Sequence, residues 1–79
     1  MPSNQTSSTA KDPELVALGA RVRALRAAAG LTQEELARAG GLHWTYVGQI
    51  ERGGRNLTYK NIIRLATGLG VTPSHLIDV

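Results

Sequence analysis

The chain has 79 residues and no cysteine, so it forms one small domain at most, and neither disulfides nor thiolate metal sites stabilise it. Nine Lys and Arg against six Asp and Glu give a net charge of +3. The excess is arginine, whose planar fork matches phosphate and guanine, so a nucleic acid is a reasonable partner; a solvated basic face is the alternative. Because no stretch has the pattern of a membrane span or a signal peptide, we expect a cytoplasmic protein.

The chain begins with residues 1–12, which are polar and predicted to be a disordered tail, since they lack the apolar content to offset ordering entropy. Asp12 and Pro13 then have the pattern of an N-cap followed by a first-turn proline. The first helix is predicted from about Pro13 to Ala29, with Gly30 ending it. Its apolar stripe, spaced by three and four residues, consists of Leu15, Leu18, Val22, Leu25 and Ala29.

The next segment predicts a helix-turn-helix at about residues 32–52. Thr32 and Glu35 form a capping box at the start of a short helix from about Gln33 to Arg38, which the Gly40-Gly41 pair would break. After a tight turn, the sequence "HWTYVGQIE" has the pattern of a third helix.

Two further helical segments complete the chain. Thr58 caps a predicted fourth helix that reaches about Leu69 and is stopped by Gly70. A last short turn, "PSHLID", begins at Pro73. With no convincing strand, the sequence predicts an all-α domain of five helices over residues 13–79.

The third helix divides into two faces when its side chains are spaced at about 100° per residue. Val47 and Ile50 lie on one face and are predicted core residues. The opposite face is polar apart from an aromatic ring and a glycine, and it comprises Trp44, Thr45, Gly48, Gln49 and Arg52. Since glycine costs helix stability, Gly48 on this face suggests that something approaches the backbone closely. A B-DNA major groove admits one helix with such a face.

Three motifs, "GLTQEELA", "IERG" and "LATGLGV", resemble in their order and spacing the lambda-repressor-like, XRE-type helix-turn-helix domain. The resemblance covers about Leu18 to Ile77. Within that family, "TYVGQIERGGRNLT" most resembles the controller proteins of restriction-modification systems. The resemblance implies a sequence-specific DNA-binding transcriptional regulator that acts as a homodimer on a palindromic operator. It also makes RNA polymerase a candidate partner.

The resemblance implies roles for individual residues. The positions where the family reads base edges are Trp44, Thr45 and Gln49. Those near the DNA backbone are Gln33, Tyr46, Arg52, Arg55 and Asn56. Trp44 would make a mostly apolar contact, such as with a thymine methyl, and the alternative is that it folds over the turn as partial core.

Two structural roles follow from the same resemblance. Arg26 and Glu51 correspond to a partly buried ion pair between the first and third helices. The dimer interface would include Ile63, Leu76, Ile77 and Val79, although the spacing of Leu76 also allows it to point inward.

We find no catalytic group, metal site or cofactor motif, and we therefore predict a protein that is not an enzyme. His43 is a candidate N-cap of the third helix, and His75 is predicted to be structural or at the surface. We expect no ligand-sensing domain after Val79. The alternative function is an antitoxin-type interaction module that neutralises a toxin partner; only the polar tail could wrap such a partner.

Overall fold

A computed structural model describes residues 12–79, which form five α-helices and no strand, as the all-α prediction requires. In chain order the helices are α1 (Pro13–Ala28), α2 (Gln33–Gly40), α3 (Trp44–Glu51), α4 (Tyr59–Leu69) and α5 (Pro73–Leu76). None of them is long and apolar enough to cross a bilayer. The predicted disordered tail lies outside the described residues, except for Asp12.

The helices begin where local capping chemistry predicts. Asp12 accepts a hydrogen bond from the Glu14 amide, 2.9 Å away, and so caps α1. At α2, the Glu35 amide donates to Thr32 Oγ1 over 3.0 Å, while the Thr32 amide donates to Glu35 Oε1 over 2.8 Å. This is the reciprocal capping box, and Thr58 caps α4 with a similar side-chain bond.

Two helix ends differ from prediction. Ala29 is the C-cap of α1 and is exposed, so it does not extend the buried stripe of that helix. Helix α2 continues through Gly40 and ends at Gly41, whose φ of 70° is left-handed. A Cβ at Gly40 would lie 2.6 Å from the carbonyl oxygen of Arg64. Gly40 therefore permits close packing of α2 on α4 and does not break α2.

The core receives side chains from all five helices. Its buried apolar residues are Val22, Leu36, Ala37, Val47, Ile50, Leu65, Ala66, Leu69 and Leu76. Leu76 is 0% exposed, which contradicts its assignment to a dimer interface. The short helix α5 turns this side chain inward, where burial of a leucine contributes about 1.5–3 kcal/mol.

Candidate nucleic-acid interface

Helix α3 has one face in the core and the other towards solvent. Val47 and Ile50 are 0% and 2% exposed, whereas Trp44 is 52% exposed and Thr45 is also exposed. Gln49 is half-buried on the same outer side. The three side chains that the resemblance assigns to base reading thus lie outside the core.

Gly48 does not lie on the open surface, contrary to the sequence-based interpretation, and it is buried. A Cβ at this position would lie 3.3 Å from Arg52 Nη1 and 3.4 Å from Gln33 Oε1. The groups that approach the backbone of α3 at Gly48 are therefore side chains of the same chain. Arg52 lies one turn further along, at the C-cap of α3, and the packing of α2 against α3 brings Gln33 there.

Glu51 lies at the junction of α1, α2 and α3. Its Oε2 accepts from Arg26 Nε over 2.6 Å, and its Oε1 accepts from Arg26 Nη2 and from Gln33 Nε2, each over 3.0 Å. The two charged side chains are 16% and 3% exposed, Arg26 first. The hydrogen bond to Glu51 raises the pKa of Arg26 above its usual value, against the opposing effect of burial. The ion pair that the resemblance implies is present in the structure.

Gln33 is oriented by this junction. One hydrogen of Nε2 is donated inward to Glu51. The second hydrogen can be donated to a DNA phosphate oxygen. Its assignment to the DNA backbone stays a prediction.

The N-terminal end of α3 carries the aromatic pair of His43 and Trp44. His43 caps the helix, since its Nδ1 accepts from the Thr45 amide over 3.3 Å, and Thr45 Oγ1 lies 2.7 Å from the same nitrogen. The His43 and Trp44 rings are 6.3 Å apart between centroids, with their planes at 20°. Trp44 is stacked on its neighbour and half exposed, so about half of its surface is available to a partner.

Tyr46 and Gln49 of α3 contact α4 and the loop that follows α3. Asn61 Nδ2 of α4 donates to Tyr46 Oη over 2.8 Å, and the Arg55 guanidinium lies 4.9 Å from the centre of the Tyr46 ring. Arg55 Nη1 also donates to Gln49 Oε1 over 2.9 Å. Since Tyr46 Oη accepts from Asn61, its own proton remains for an acceptor such as a phosphate oxygen.

Asn61 is the contributor that sequence reasoning missed. It lies three residues after the cap Thr58. Its backbone N–H donates to Thr58 Oγ1, and its side-chain amide reaches Tyr46 of α3. A single polar residue in a predicted helix is a weak signal, and only the tertiary structure identifies its partner on α3. Asn56, predicted to contact DNA, is exposed in the loop between these helices.

Three of the four residues assigned to a dimer interface are exposed. Ile63, Ile77 and Val79 are 36%, 49% and 70% exposed, in that order. The segment that carries the last two is held against α1, because Arg21 Nη2 donates to the carbonyl oxygen of His75 over 2.7 Å.

Comparisons with known proteins give the family. The helix-turn-helix family model HTH_3 matches residues 22–76. The control protein C.BamHI of Bacillus amyloliquefaciens is 43% identical over 61 residues, covering 76% of this chain and 75% of that protein. The controller protein C.AhdI of Aeromonas hydrophila has a similar crystal structure, with a TM-score of 0.80, 49% identity, and coverage of 82% of this chain and 98% of that chain.

A third similar structure is the restriction-modification controller protein C.Esp1396I, solved as a tetramer in complex with its natural 35-base-pair operator. It has a TM-score of 0.78 and 33% identity, and the match covers 84% of this chain and 87% of that chain. The chain therefore belongs to the HTH_3, XRE-type helix-turn-helix family, and within it resembles the controller proteins of restriction-modification systems.

Proposed function

We propose that this protein is a sequence-specific DNA-binding transcriptional regulator that acts as a homodimer on a palindromic operator, as the controller of a restriction-modification system. The observation that carries the proposal is the outer face of α3. It carries Trp44, Thr45 and Gln49, with Arg55 hydrogen-bonded to Gln49, while the inner face is fixed in the core. The operator complex of the C.Esp1396I tetramer supports the same function.

In this proposal α3 enters the major groove and the flanking groups bind the phosphates. The groove is wide enough for one helix, and its base edges carry the donors and acceptors that Thr45 and Gln49 can pair with. The groups assigned to the DNA backbone are Gln33, Tyr46, Arg52, Arg55 and Asn56. Such contacts fix the register of the protein on DNA without reading its sequence.

The dimer gives the operator its symmetry. A closed two-fold interface uses the same patch on both subunits, and the exposed residues Ile63, Ile77 and Val79 are the proposed patch. Two copies of α3 would then lie in successive major grooves, with half-sites about 34 Å or about 10 base pairs apart.

The test is selection of bound duplexes from a random library, followed by titration of the selected duplex against a scrambled one at several salt concentrations. We expect an enriched palindrome. In Thr45→Ala the preference for one base position should fall by about 0.5–1.5 kcal/mol, because a hydroxyl makes a single hydrogen bond to a base. The matched control Thr67→Ala changes an exposed threonine of α4 and should bind as the wild type does. Failure to enrich any sequence would contradict the proposal.

The proposal also covers the location of the protein, its lack of enzymatic activity and its partners. A regulator of this family would act in the cytoplasm and would not be an enzyme. RNA polymerase stays a candidate partner, which a pull-down on operator DNA would test. No observation favours the antitoxin alternative.

A further inference from the structure

The loop after α3 folds back onto that helix and places Arg55 against Gln49. The Gly54 amide donates to the carbonyl oxygen of Gln49 over 2.9 Å, which holds the loop to the backbone of that residue. Gly53, with a φ of 77°, permits the reversal. One residue further on, Arg55 Nη1 donates to Gln49 Oε1 over 2.9 Å, while its guanidinium lies over the Tyr46 ring.

This contact fixes which end of the Gln49 amide is offered to a partner. A guanidinium has donors only, so the amide oxygen must face Arg55, and Nε2 is the end left for another group. A glutamine that can turn freely reads adenine with both ends, since its oxygen accepts from adenine N6 and its nitrogen donates to N7. In Gln49 one lone pair of the oxygen already accepts from Arg55. The positive charge of the guanidinium disfavours the approach of the adenine N6 hydrogen to the other lone pair.

The resulting pair offers hydrogens and positive charge to a base edge. Nε2 of Gln49 carries two hydrogens, and the guanidinium of Arg55 has further N–H groups beside them. Guanine presents two acceptors in the major groove, N7 and O6, whereas the exposed amino groups of adenine and cytosine are donors. Guanine is therefore the base whose edge best matches this pair.

We infer that Arg55 positions Gln49 so that the pair reads guanine at one position of each half-site. The inference rests on the proposed function, because it names the base that the same surface reads. Arg55 thus determines specificity through Gln49, in addition to adding positive charge near the DNA backbone.

The experiment compares base preferences selected from random duplexes by the wild type, Gln49→Ala, Arg55→Met and the double variant. Arg55→Met keeps an aliphatic stem over the Tyr46 ring and removes the donor to Gln49. We expect the wild type to prefer guanine by about ten-fold or more at one position, and Gln49→Ala to lose that preference. Arg55→Met should also lose it and shift towards adenine, because the amide is free to turn. The double variant should match Gln49→Ala.

Two controls isolate the effect. Arg23→Ala removes an exposed arginine of α1 and should retain the guanine preference. Replacing that guanine with 7-deazaguanine removes the N7 acceptor and should weaken the wild type by about ten-fold while leaving Gln49→Ala unchanged. If thermal melting shows that Arg55→Met is unfolded, Arg55→Ala takes its place.

The outcomes separate this inference from the proposed function. If Arg55→Met keeps the guanine preference and binds every sequence more weakly by one factor, Arg55 contacts only phosphate and the inference is overturned. A wild-type preference for adenine at the position that depends on Gln49 overturns it as well. If the wild type selects no sequence at all, the proposed function itself has failed.

Discussion

Glu51 shows how a single side chain connects the helices that form the candidate site. Its carboxylate receives Arg26 from α1 and Gln33 from α2, so the orientation of α3 relative to both depends on one buried anion. Because the pKa of Arg26 is raised in the folded chain, its stabilising charge is present below its ordinary pKa and is lost only as pH rises through the raised value. This cation therefore does not titrate near neutral pH.

Replacing Glu51 with glutamine should destabilise the fold. The change leaves Arg26 without its charged partner in a site where the side chains are only 16% and 3% exposed. Removing one partner of a buried pair costs about 3–5 kcal/mol, and since Arg26 keeps some contact with water, we expect the lower end of that range. For a domain of this size the melting temperature should fall by more than about 10 °C.

The matched control is Glu34→Gln, which removes an exposed glutamate in the first turn of α2 and should cost less than about 1 kcal/mol. Thermal unfolding followed by circular dichroism measures both variants. If Glu51→Gln melts like the wild type while its affinity for the selected duplex is lost, Glu51 serves DNA binding and not structure.

Trp44 is the one tryptophan in the chain and reports directly on the interface. Because its indole is 52% exposed, acrylamide should quench its fluorescence in the free protein. Adding the selected duplex should protect it, since an apolar contact with a thymine methyl would cover the ring. A scrambled duplex at the same salt concentration is the control. Equal quenching in the presence of saturating selected duplex would place Trp44 outside the interface.

Between helices, several close approaches occur at glycines, and those at Gly40 and Gly19 bring backbone against backbone. Gly40 of α2 lies against α4, and Gly19 of α1 lies against the end of α3. A Cβ at Gly19 would lie 2.8 Å from the carbonyl oxygen of Glu51 and closer still to that of Ile50. The neighbouring atoms are backbone, which cannot rotate away as a flexible side chain would.

Gly19→Ala should therefore lower stability, although alanine favours a helix over glycine by about 1 kcal/mol. Overpacking typically costs about 1–3 kcal/mol, and contact with backbone places this site at the upper end, so a net loss of about 1 kcal/mol or more is expected. Urea unfolding measures it. Gly54→Ala is the control, since its Cβ would lie 3.4 Å from one carbonyl oxygen, and its stability should change by less than about 0.5 kcal/mol. A more stable Gly19→Ala would show that α1 can move away from α3.

At the scale of the whole molecule, adjacent residues at the C-terminal end have opposite environments. Leu76 is fully buried in the core, whereas Ile77 is 49% exposed. The bond from Arg21 to the His75 carbonyl holds this end of the chain on α1, so the exposed apolar side chains occupy a defined place. In the dimer that we propose, a second subunit would cover them.

Ile77→Asp should give a folded monomer with much weaker operator binding, because it places a charge where the proposed dimer buries an isoleucine worth about 1.5–3 kcal/mol. Leu76→Ala should instead lower stability by about 2–5 kcal/mol. Sedimentation at micromolar concentration measures the first, and thermal melting the second. Ala17→Asp adds the same charge to an exposed position of α1 and should remain dimeric. The dimer would be refuted by a wild-type chain that is monomeric at micromolar concentration and binds a single half-site with the same affinity as a full palindrome.

Local sequence signals are sufficient to predict the five helices, their starting points and the family. Caps such as Asp12, Thr32 and Thr58 act on amides two or three residues away, so their effect can be read from local spacing. The two faces of α3 follow from helical periodicity in the same way, which is why Trp44 and Val47 were assigned to the correct sides.

Contacts between segments distant in the chain could not be predicted in this way. Gly48 is covered by Gln33 of α2, Leu76 points inward, and Asn61 reaches Tyr46, because the helices cross at particular angles and depths. No periodic pattern encodes those distances, because they result from the packing of all helices at once. The orientation of the Gln49 amide is of the same kind, since a loop that returns over α3 sets it.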